Sequence, residues 1–151
     1  MVKQFGLEQF GEDKIFAEDT LSGKPTFKSS ITLEGWNRRV DELNSLWDQI
    51  IVVQEWCIED RKTYTDTYTN LLYLHAKKTV VLLSYAKQEY IQHLYKTMSS
   101  EVQKLEEEQI LLLSIDSEDK QVNDMLYEKL NPILSRYKRL YDLKEILFGN
   151  Q

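Results

Sequence analysis

The sequence predicts an all-α chain, an elongated antiparallel bundle of three to four long helices preceded by an irregular arm. Punctuation is the first reason. The glycines are Gly6, Gly11, Gly23, Gly35 and Gly149 and the prolines Pro25 and Pro132, so residues 36–131 contain neither. A sheet protein needs turn residues about every 8–12 positions, and a Rossmann or P-loop site needs a glycine-rich turn. Periodicity is the second reason, because apolar residues recur at three- and four-residue spacings through that same stretch. Composition is the third: 151 residues, 42% apolar and 29% charged, describe one ordinary globular unit.

Residues 1–31 form the arm. They hold four of the five phenylalanines (Phe5, Phe10, Phe16 and Phe27) and three of the five glycines, with an echo between Gln4-Phe5-Gly6 and Gln9-Phe10-Gly11. A polar linker has no use for that much aromatic area. The arm is expected either to fill gaps on the bundle or to dock on a partner, and Phe5 and Phe10 are candidate partner-binding residues.

The bundle itself is expected over residues 32–148. The first helix spans about 32–60, with Thr32 as N-cap and a stripe of Leu33, Trp36, Val40, Leu43, Trp47 and Ile50. Its last turns, Ile50 to Ile58, are apolar on more than one face, which predicts a helix covered from two sides. Thr63 to Asn70 alternates with a period of two, but no second strand exists to pair with it. Tyr64, Tyr68, Leu71, His75 and Leu82 instead continue a helical stripe into a segment of about 63–113. Read as one piece, that segment would be about 70 Å long, nearly twice the diameter of a compact chain of this size. Ser100-Glu101-Val102-Gln103 fits a capping box and places the expected break near 97–100. The last helix, about 117–148, is capped by Asp116 or Ser117 and carries Val122, Leu126, Leu130, Ile133, Tyr137, Leu140 and Leu147. Pro132 should kink or restart it, and Gly149 should end it.

Residue chemistry narrows the function. The formal charge is −6, from 19 basic and 25 acidic side chains, which disfavours general nucleic-acid binding. The single cysteine, Cys57, can form no internal disulfide. His75 and His93 lie 18 residues apart, about 27 Å along one helix, so they share no metal within it. Glu89 and His93 are spaced as an ordinary i, i+4 surface pair. Cys57 sits in the mostly apolar run Gln54-Glu55-Trp56-Cys57-Ile58 and reads as a packed thiol, while Glu106-Glu107-Glu108 and Glu118-Asp119 read as a solvated face. No catalytic, cofactor-binding or metal-binding constellation is expected. No run reaches the 18 or so apolar residues needed to span a bilayer, and the N-terminus lacks a signal-peptide core, so a cytoplasmic chain is the expectation.

The nine tyrosines carry more information. Tyr73, Tyr85 and Tyr95 fall off the main stripe and are candidates for contact with a partner. Arg136 and Arg139, with Lys129, Lys138 and Lys144, flank Tyr137 and Tyr141 in a basic-aromatic strip interrupted by Glu128, Asp142 and Glu145. The reading is a non-enzymatic protein-interaction module that binds another protein, itself, or both as a homo-oligomer. The alternative is a helical regulator binding nucleic acid or an acidic partner through that strip.

Overall fold

The computed structural model describes residues 15–16 and 27–149. Among them are four helices, α1 (Leu33–Glu59), α2 (Arg61–Leu83), α3 (Gln88–Leu113) and α4 (Lys120–Phe148), and no strand. The predicted all-helical class therefore holds. Among the described residues, no helix is long and apolar enough to cross a membrane.

Helix α1 begins as its sequence dictates: the Thr32 hydroxyl accepts the Gly35 amide at 3.0 Å, satisfying a donor that the first turn leaves without a partner. The chain then passes from α1 to α2 through one residue. The Asp60 amide donates to the Trp56 carbonyl, closing α1, while the Asp60 carboxylate accepts the Thr63 amide at 3.1 Å and the Thr63 hydroxyl at 2.7 Å, opening α2. Trp56 meets Tyr64 at this end and Glu42 pairs with Lys78 towards the other, so α1 and α2 are antiparallel. Tyr95 against Phe148 and Glu106 against Tyr137 fix α3 and α4 the same way.

The core follows the stripes. Trp36, Val40, Leu43, Trp47 and Ile50 are buried on α1, with Tyr68, Leu72, His75 and Leu82 on α2. Tyr90, Leu94, Met98, Val102 and Leu105 complete it on α3, with Leu140 and Leu143 on α4. Leu33 is the exception on the first stripe, being half exposed. Two parts of the arm pack in cis. Ile15 and Phe16 are buried, with the Phe16 carbonyl accepting Asn44 Nδ2 at 3.0 Å. Phe27 stacks on Trp36 at 5.2 Å, and Trp36 meets the edge of Tyr90 at 5.5 Å. Phe5 and Phe10 lie outside the described residues.

Three expectations are corrected. The break in the second segment falls at residues 84–87, and α3 runs unbroken through 97–100. The Glu101 side chain is turned inward beside Arg136, so the apparent capping box is helix interior. The real break carries no glycine or proline. It is held from a distance, where Phe27 bridges Ala86 and the Lys28 amide donates to the Tyr85 carbonyl at 2.6 Å. Helix α4 starts at Lys120, with Asp119 accepting the Gln121 amide, and Pro132 lies inside it, so no new helix starts there. The end of α1 meets α2 through Trp56 and α4 through Gln54, while Val52 and Ile58 are exposed.

Candidate functional site

Two features of the surface stand apart from the core. The first is a groove of about 1020 Å³ between the end of α1, the first half of α2 and the second half of α4. Tyr68, Tyr73 and Tyr141 give it aromatic walls, Leu72 and Leu134 apolar ones, and Arg61, Lys138 and Asp142 its charges. Lys138 pairs with Asp142 at 3.0 Å across one helical turn and also lies over the Tyr68 ring. The Tyr68 hydroxyl is held well above its usual range, first by burial and then by Asp142, to which it donates at 3.4 Å. It therefore stays protonated and acts as a donor. Cys57 is half-buried on the rim.

Behind the groove lies a polar network inside the bundle. The guanidinium of Arg139 donates to Gln54 Oε1 at 2.6 Å, Gln54 Nε2 donates to the Ser135 carbonyl at 3.1 Å, and Arg139 sits 5.9 Å from the Trp47 ring centre. Arg136 pairs with Glu101 at 3.7 Å. The other face of this layer is His75, fully buried and tilted against Trp47 at 5.3 Å. The Thr79 hydroxyl donates to the His75 carbonyl at 2.8 Å, so it can take only Nδ1–H from the ring, which assigns the hydrogen to Nδ1. Burial pulls the imidazole down from 6.5 to about 4. These groups join helices to one another, and Gln54 and Ser135 also line the groove. Among the described residues, no three His, Cys, Asp or Glu side chains gather as metal ligands would.

The second feature is the far end of the α3–α4 hairpin. From Glu106 to Lys138 no residue is buried. The seam of the hairpin, Leu112, Leu126, Leu130 and Ile133, is only half-covered, because two helices alone cannot enclose the row of side chains between them. Off that seam, Ile110, Leu111 and Leu113 are each about two-thirds exposed, and Ile115, Val122 and Met125 add to them. Ile110 to Leu113 form the last turn of α3, and Val122 to Met125 lie in the first two turns of α4, so antiparallel packing brings them to one end.

The residues singled out from sequence divide sharply. Tyr73 is exposed and lines the groove. Tyr85 is half-buried beneath the Arg39 guanidinium, and Tyr95 packs edge-on against Phe148 with Lys144 over its ring, so both are occupied within the chain. Arg139 is buried and Arg136 half-buried, which removes both from a surface strip. The basic-aromatic strip thus survives only in part, as a stacked Tyr137–Tyr141 pair beside Lys138. Tyr137 donates to Glu106 at 2.9 Å and is pushed up to about 12, by burial and by that carboxylate. What sequence reasoning missed is the hairpin end. The signal was present: four consecutive apolar residues, Ile110 to Leu113, cover about 300° of a helix, so one seam cannot hide them all.

Comparison of the chain with protein families, with curated proteins and with solved structures found no match.

Proposed function

We propose that this protein is a non-enzymatic helical interaction module, an adaptor, assembly factor, inhibitor or structural subunit that acts by gripping another protein. The observation that carries the reading is the uncovered end of the α3–α4 hairpin, where a half-covered seam and six exposed aliphatic residues fall at the same end of the two helices. Exposed apolar surface concentrated in one place and rimmed by polar residues is the mark of a protein-binding surface. Scattered single exposures, such as Leu33 at the start of α1, carry no such meaning. The nucleic-acid alternative lacks comparable support, since its two arginines are engaged inside the bundle.

Site-specific photocrosslinking in the native cell tests the reading. A photoreactive side chain at Leu111 should give discrete protein adducts, and one at Glu34, an exposed position in the first turn of α1, should not. Equal patterns from the two positions would overturn the proposal.

A further inference from the structure

We infer that the end of the α3–α4 hairpin is built for a basic amphipathic helix, and that such a helix, rather than a second copy of this chain, is its occupant. The inference rests on the interaction-module reading and adds the chemistry of the partner.

Charge is the deciding observation. Residues 106–128 contain eight carboxylates (Glu106, Glu107, Glu108, Asp116, Glu118, Asp119, Asp124 and Glu128) and one lysine, Lys120, for a net −7. The remaining 128 residues carry 18 basic and 17 acidic side chains, a net of +1. The net negative charge of the protein is thus carried by 23 residues that also hold the exposed Ile110, Leu111 and Leu113. All eight carboxylate residues are exposed, and Glu106, Asp119 and Asp124 in addition accept hydrogen bonds from within the chain.

That combination separates the candidate occupants. A two-fold dimer through the hairpin ends would set −7 against −7, a repulsion that salt screens only beyond about 8 Å. A partner with apolar residues at i, i+3, i+4 and i+7 and lysine or arginine on its flanks meets both demands at once. Its apolar stripe covers the exposed Ile110 and Leu113, and its cations face the carboxylates. A third helix laid along the hairpin also completes the layer that the pair α3 and α4 leaves open at this end.

The test uses the full chain and a labelled amphipathic Leu/Lys helical peptide, followed by fluorescence anisotropy. The peptide should bind, and affinity should fall about tenfold or more in Ile110→Ser/Leu113→Ser, whose positions are exposed and outside the core. In Glu108→Gln/Asp116→Asn/Glu118→Gln, which takes the stretch from −7 to −4, binding should weaken and depend less steeply on salt. Circular dichroism verifies that both variants keep their helix content. Undiminished binding by the serine variant would overturn the inference, as would equal binding of a scrambled peptide of the same composition or of a Leu/Glu counterpart. So would a dimer of the chain alone, seen by sedimentation and dissolved by the serine variant, since that would make the occupant a second copy. Failure of the peptide together with persistent adducts from Leu111 sinks the basic-helix assignment alone, whereas loss of both sinks the module reading too.

Discussion

The buried imidazole of His75 makes the stability of this fold depend on pH in a way that can be calculated. His75 has no solvent exposure, rests against Trp47 and is pulled from 6.5 to about 4 by burial. In the unfolded chain it takes up a proton below about pH 6.5, while in the folded chain it remains neutral down to about pH 4. The unfolded state therefore binds more protons throughout that window, so stability falls as pH falls and the loss is complete below about pH 4. The 2.5-unit gap corresponds to about 3 kcal/mol in full, and about 2 kcal/mol of it is lost between pH 7.5 and pH 5. Urea unfolding of wild type and His75→Gln at those two pH values isolates the contribution, because every other titrating group is common to both. The variant is expected to be less stable at pH 7.5 and to lose about 2 kcal/mol less than wild type on acidification. Parallel losses in the two proteins would refute the argument, and would mean that His75 is protonated inside the fold.

Other consequences are open to the same unfolding measurement. Trp36→Ala removes a fully buried ring held between Phe27 and Tyr90 and should cost about 4 kcal/mol. Arg139→Ala should cost about 3 kcal/mol, since it strands Gln54 in the interior, whereas Arg39→Ala, which loses only a half-exposed stack on Tyr85, should cost under about 1 kcal/mol. Pro132→Ala restores a backbone donor at an exposed position within α4 and should stabilise by about 1–3 kcal/mol.

The helical class and most core positions were legible because burial on one face leaves a period near 3.6, and the stripes from Trp36 to Ile50 and from Tyr90 to Leu105 show it directly. The Thr32 cap was legible for a similar local reason. The turn at 84–87 was not, since it is fixed by Phe27 and Lys28, more than fifty residues away, and no local residue marks it. Tyr85 and Tyr95 lie off the main stripe yet are shielded by Arg39, Lys144 and Phe148, contacts that a helical wheel cannot show. Arg136 and Arg139 read as surface charges because arginine usually is one, and only the folded chain brings Glu101 and Gln54 to them. The hairpin end escaped for the opposite reason. Its acidic residues look like ordinary solvated face until the aliphatic side chains beside them are found without cover.

Hydrogen–deuterium exchange of the full chain with and without the Leu/Lys peptide locates the working surface most directly. Slowed exchange confined to about 106–133 is the result expected of a hairpin end that grips a basic helix. Protection along the groove beside Tyr73 and Tyr141, with 106–133 unchanged, would contradict it.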